Sequence, residues 1–197
     1  MSRSAALAFA AIVVIAILLA ACGSSKSSSS AGATSTTGAP EVSPQGDISD
    51  SAVYVVQADP SRSYSIKVPE GWARTTSGTA VSFTDKLNTI RIETVSAAVA
   101  PTVASATATE VPKIAQAASL FKAGKVSVVT RASGPAVLIT YQATSEPNPV
   151  TGKTIRLSVE RYEFWANGTE AIVTLSGPVG ADNVDPWKIV TDSFAWK

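Results

Sequence analysis

The sequence predicts an α+β domain built on a twisted antiparallel β-sheet of about six to seven strands flanked by helices. Three observations carry this. Short runs of alternating apolar and polar residues recur through residues 51–197, an Asn-Gly pair separates two of those runs, and two segments switch to helical spacing.

Tyr64, Ile66 and Val68 alternate with Ser65 and Lys67, which reads as a half-buried strand closed by a turn at Pro69, Glu70 and Gly71, with Trp72 next. Val81 and Phe83 signal a second strand, Asp85 to Asn88 a polar turn, and Ile90 and Ile92 a third, so that an antiparallel pair or meander is expected. From Pro101 the chain becomes rich in alanine. Val111, Ile114, Ala118 and Phe121 fall on one helical face. Proline suits a first turn, so the helix is placed at Pro112 to Phe121, with Lys122, Ala123 and Gly124 ending it.

Four strands are expected next. Residues 126–131 and 136–143 flank a turn at Ala132 to Pro135, and residues 154–165 and 170–176 flank Asn167 and Gly168, a strong hairpin signal. On the long strand Ile155, Leu157 and Val159 share one phase, while Tyr162 and Phe164 take the other. This change of phase predicts a bulge near Glu160 and Arg161. Asp185 and Pro186 read as the N-cap and first residue of a closing helix, with Trp187, Val190 and Phe194 on its buried side.

The 197 residues divide into three expected parts. Residues 1–21 read as a signal peptide: Arg3 precedes a run of 17 uncharged, mostly apolar residues from Ala5 to Ala21. A plain membrane span needs roughly 20 apolar residues and is the bland alternative. Leu19, Ala20, Ala21 and Cys22 resemble the lipobox of bacterial lipoproteins, which implies a diacylglyceryl thioether on Cys22 and an export signal cleaved before it. Two or three acyl chains, at about 0.8 kcal/mol per buried methylene, would hold such a protein permanently at the cell membrane on its exported face.

Residues 22–50 read as a lipidated tether. From Gly23 to Gly46, 20 of 24 positions are Gly, Ser, Thr, Ala or Pro, a composition that forms no core and spans roughly 25 to 30 Å as a flexible coil. Residues 51–197 form the single domain and carry all four Trp and all four Tyr.

Composition excludes several functions. The chain has no histidine, so no imidazole-based triad or histidine metal ligand exists. Its one cysteine is committed to lipid in this reading, which leaves no thiol for a disulfide, a nucleophile or zinc. A formal net charge of +1, with no basic run, argues against a nucleic-acid partner. No Gly-x-Ser-x-Gly elbow occurs, and Gly124-Lys125 and Gly152-Lys153 lack the spacing of a phosphate loop.

Tyr64 to Trp72, YSIKVPEGW, resembles the opening strand and Val-Pro-x-Gly-Trp turn of Mog1/PsbP-like domains. Thr191 to Phe194 resembles that family's closing helix, and Thr174 to Pro178, TLSGP, the strand before it. The likeness covers roughly residues 51–197 and implies a three-layer sandwich with helices on both faces of the sheet. Lipid-anchored members are common in actinobacterial envelopes. The photosystem and GTPase-binding roles known in the family do not transfer to an exported lipoprotein, and fold alone implies no activity.

Candidate site residues are few. Trp72 has two readings, a stacking platform for a sugar or lipid and a core plug, and the second is the commoner use of such a residue. Trp165 is the candidate ligand-contacting aromatic, with packing under a helix as the alternative. Arg156, Glu160, Arg161 and Glu163 read as ion pairs on a solvated face rather than an acid and base pair. Asp182, Asp185 and Asp192 lack the alternation of a calcium loop, so no metal and no cofactor is expected. Asn167-Gly168-Thr169 fits a glycosylation signal but reads as a turn.

The expectation is a non-enzymatic, lipid-anchored envelope protein that binds a partner protein or an apolar ligand. A solute- or lipid-binding accessory subunit of an envelope transport system is the alternative, and a hydrolase with an atypical Ser/Lys or carboxylate site is a third.

Overall fold

The computed structural model describes residues 44–58 and 62–197; Cys22, the apolar run before it and most of the expected tether lie outside them. Packing begins before the expected start at Ser51. Ile48 is only 8% exposed and belongs to the main core, held by its backbone N–H, which donates to Asn183 Oδ1 at 2.8 Å.

Strands β1 (Tyr54–Gln57) and β2 (Tyr64–Pro69) pair antiparallel, and the two-residue β10 (Ala195–Trp196) adds to the other edge of β2. The alternation at Tyr64, Ile66 and Val68 therefore lies in a small three-stranded sheet, apart from the main one. The main sheet comprises β3 (Ala73–Ser77), β4 (Ala80–Asp85), β5 (Asn88–Ser96), β6 (Lys122–Arg131), β7 (Gly134–Thr144), β8 (Arg156–Ala166) and β9 (Thr169–Pro178). Its order is β3-β4-β5-β9-β8-β7-β6, antiparallel throughout. The fold class is thus the α+β one expected. β3 escaped notice because all five of its residues are exposed, so its sequence, ARTTS, carries no apolar period.

One face of the main sheet presents Phe83, Ile90, Ile92, Val173, Leu175, Tyr162 and Phe164 to the small sheet and to helix α3 (Val184–Asp192), and this is the principal core. The opposite face holds a smaller cluster, in which Val137 and Ile139 meet Ala106, Val111 and Ile114. Those last three belong to one run of helix: α1 (Val103–Ser105), a π-helical turn (Ala106–Glu110) and α2 (Val111–Ala117). Sheet and helices therefore form three layers, as the resemblance implied.

Several expectations need correcting. The first helix starts at Val103, where Thr102 and Ser105 form a reciprocal cap, and it ends at Ala117; Lys122 to Gly124 open β6 rather than ending a helix. Pro112 is accommodated well inside the helical run because the wider π turn directly precedes it, relieving the clash that a proline ring makes with the carbonyl four residues earlier.

The bulge expected near Glu160 and Arg161 does not occur, since β8 keeps an unbroken register with both β7 and β9. Its apolar phase changes because side chains are buried on both faces of the unbroken strand, Tyr162 and Phe164 in the principal core and Val159 on the opposite face. The register shift lies on β6 instead, between Ala123 and Val126. There a Cβ on Gly124 would stand 2.5 Å from the Thr140 carbonyl oxygen.

The closing helix begins at Val184, with Asn183 rather than Asp185 preceding it. Asn183 spends its side chain elsewhere, and Asp185 and Pro186 fall in the first turn. Trp187 and Val190 are buried on the helix as expected; Phe194 is also in the core, but from the segment just beyond the helix end at Asp192.

Candidate binding site

Asn167 and Gly168, both at positive φ, close the β8–β9 hairpin tightly. This turn sets Trp165 directly opposite Glu170, and the same register continues to Val95 on β5. With side chains alternating along each strand, Arg161, Glu163 and Trp165 share the sheet face that the first helix covers only in part.

Trp165 is 36% exposed, yet its ring is fixed, because the indole N–H donates to the Ala97 carbonyl at 2.8 Å. It lines a recess of about 170 Å³, whose other walls include Ala100, Pro101, Val128, Pro135 and Val137 and whose lining also includes Glu163. The Glu163 side chain is fully buried. Its Oε1 accepts from Arg161 Nε at 2.9 Å, whereas Oε2 has no hydrogen-bond partner among the described residues.

Charge around the recess is unevenly shared. Arg161 is also 3.4 Å from Glu110, which in turn pairs with Lys113 at 2.8 Å. Glu170 has its carboxyl pushed up to about 7, by burial first and then by the charge of Glu163. Glu163 is also raised, again chiefly by burial. The solvated ion-pair face expected for Arg156, Glu160, Arg161 and Glu163 is therefore divided in fact. Arg161 and Glu163 are drawn under the first helix. Arg156 reaches the Leu120 carbonyl at 2.9 Å. Glu160 lies on the other sheet face, accepting from Tyr162 Oη at 2.6 Å. That phenol, pushed up to about 12 mainly by burial, also receives Arg131 Nη2 at 2.9 Å, and Arg131 Nε continues to Thr191 Oγ1 on α3 at 2.9 Å.

Trp72 is half-buried and packs against the main core, away from Trp165, so the two aromatic candidates do not share a site. Asp192 is bound by Lys188 and lies 3.7 Å from Arg131. Asp182 receives nothing metal-like; its backbone N–H donates to Asp47 Oδ1 at 2.8 Å. Among the described residues no three acidic, cysteine or histidine side chains are placed to hold a metal ion. Nor is any described helix long and apolar enough to cross a membrane.

Sequence reasoning missed a second concavity at the opposite end of the sheet. The β4–β5 turn and the long β7–β8 loop enclose an open groove of about 700 Å³, lined by Lys86, Leu87, Glu146, Asn148 and Lys153 among others. An adjoining groove of about 580 Å³ shares Lys86, Leu87 and Asn148 and reaches residues 44–47. Only the Pro and Asn content of the loop could have pointed there.

No family model matches the chain, and no curated protein matches it. Solved structures do. The solution structure of cyanobacterial PsbP (CyanoP) from Synechocystis sp. PCC 6803 aligns with a TM-score of 0.52 at 15% identity, covering 78% of this chain and 99% of that one. The Ran-binding protein Mog1p of Saccharomyces cerevisiae aligns at 0.47 and 10% identity, covering 74% of this chain and 96% of that one. A Bacteroides thetaiotaomicron protein aligns at 0.49 and 12% identity over 72% of this chain, which spans only 48% of that protein. At such identities the likeness concerns the fold alone, and the CyanoP alignment over nearly that whole chain establishes it: the body of this protein has a PsbP-like fold.

Proposed function

We propose that this chain is a lipid-anchored, non-catalytic binding module on the outer face of the cell membrane, tethered through Cys22 and engaging an envelope partner through the sheet face around Trp165. The lipobox-like Leu19 to Cys22 after an apolar run and the Ser- and Thr-rich stretch behind it support the anchoring. The observation that carries the binding role is Trp165 itself, a large aromatic left partly in solvent while a hydrogen bond holds it in the lining of a recess. The absence of any histidine from the sequence, and a lipid-committed thiol, support a role without catalysis.

A second reading, a solute-binding accessory subunit of a transport system, is favoured by the groove of about 700 Å³ at the far end of the sheet, whose size suits a small molecule.

Two measurements test the proposal. Cys22→Ala should leave an uncleaved precursor or free the protein from membranes; a mature-mass Cys22→Ala chain still tightly bound to the membrane would refute the anchor. A photo-crosslinker placed at Val128, beside the recess, should give a discrete adduct in intact cells that disappears with Trp165→Ala. Crosslinking that persists unchanged, or that arises only from position 148 in the far groove, would move the binding surface to the other end.

A further inference from the structure

We infer that the recess lined by Trp165 takes an alkylammonium group, an aliphatic arm ending in a primary amine, with Glu163 Oε2 as its acceptor. This deepens the proposed binding role and rests on it.

The acceptor is the first ground. A fully buried carboxylate oxygen without a hydrogen-bond partner is costly to maintain, and Glu163 Oε2 is such an atom in a residue that lines an open recess. A donor arriving from solvent removes the cost. Its sign follows from the neighbours. Arg161 and Lys113 are already shared among Glu163 and Glu110, and Glu170 stands as a further carboxylate opposite Trp165 on the same face. A cation balances the set, and an anion would worsen it.

The shape of the ligand follows from the walls. Val128, Val137, Pro101 and Pro135 are apolar, so the arm behind the cation is aliphatic. Trp165 lines the recess with its indole held in place, and supplies an aromatic surface for a cation–π or methylene-stacking contact. A volume of about 170 Å³ is below the roughly 300 Å³ of ordinary small-molecule pockets and suits a butylammonium-sized group. A free amine and the lysine side chain of a partner protein both carry that group.

The test uses the full chain in detergent with ¹⁵N-labelled tryptophan, whose four indole signals are separated by NMR; Trp165→Phe assigns one of them. The probes are n-butylammonium, a capped lysine peptide and the same peptide with norleucine. The expected result is a saturable shift of the Trp165 indole signal with the ammonium probes, weakened about tenfold or more by Glu163→Gln and lost with norleucine. Response to butylammonium alone identifies a free amine as the ligand, and response to both probes identifies a lysine side chain. Equal binding by norleucine, equal binding by a Glu163→Gln chain of unchanged melting temperature, or an unmoved Trp165 signal would overturn the inference. In those cases crosslinking at Val128 still decides the binding face separately, so the two failures are distinguishable.

Discussion

Asn88 and Asn183 face each other in the interior, 95 residues apart in sequence, with Asn183 Nδ2 donating to Asn88 Oδ1 at 3.1 Å and both amides donating to the Gly46 carbonyl. This clasp joins the start of the body, the start of β5 and the entry to α3. It is why Asn183, although it precedes the helix, caps nothing with its side chain: buried amides are satisfied first. Gly177 makes the clasp possible, since a Cβ there would stand 2.5 Å from Asn88 Oδ1 and 2.9 Å from Asn183 Nδ2.

Gly177→Ala should therefore destabilise the fold by about 1 to 3 kcal/mol, the usual range for overpacking. Chemical denaturation measures it. An unchanged midpoint would show that both amides move aside freely.

The terminal helix and the segment that follows it should be a main support of the principal core. Phe194, 1% exposed, stacks on Phe164 with ring centroids 4.4 Å apart and meets Trp196 edge-on at 5.2 Å. Phe194→Ala should cost about 3 to 5 kcal/mol, and Trp187→Ala a comparable amount. A melting temperature that stays put would mean that the closing helix is not docked in solution.

Glu170 predicts a pH dependence whose sign is fixed. Its carboxyl rises from an ordinary 4.5 to about 7 in the folded chain, so the folded state holds a proton that the unfolded state has already released. Stability should fall as pH rises through that window, and Glu163, raised by burial, contributes in the same direction. Glu170→Gln should flatten the decline. Melting curves from about pH 5 to about pH 8 check this, and a variant that tracks the parent across the range would remove Glu170 as the cause.

Arg131 and Tyr162 bind β6, β8 and α3 into one unit. The guanidinium lies over the phenol ring at 5.0 Å as well as bonding its oxygen. Tyr162→Phe should cost about 1 to 2 kcal/mol, because Glu160 and Arg131 each lose a partner. Combined with Arg131→Met, the losses should be less than additive; strict additivity in a double-mutant cycle would show that the contact carries no energy.

The sequence alone determined whatever repeats at short range. Alternation placed six of the seven main-sheet strands, Asn167 and Gly168 placed a hairpin, and Trp187 and Val190 marked the buried side of the closing helix, because each signal is written by residues within a few positions of one another. It also singled out Trp165, as an aromatic on a strand with both faces occupied. Tertiary structure alone decided the rest. The phase change on β8 comes from burial on both faces of an unbroken strand, which alternation by itself does not separate from a bulge. β3, with no buried side chain, exists only because β4 offers it an edge. The separation of β2 into a second sheet depends on β1 and β10, from opposite ends of the domain. Above all, the free oxygen of Glu163 depends on distant chain: Glu110 draws on the same arginine from a helix 53 residues earlier, and Pro101 and Val128 close the walls around it. Burial and unmet hydrogen bonds are properties of a surrounding, and no local pattern encodes the surrounding.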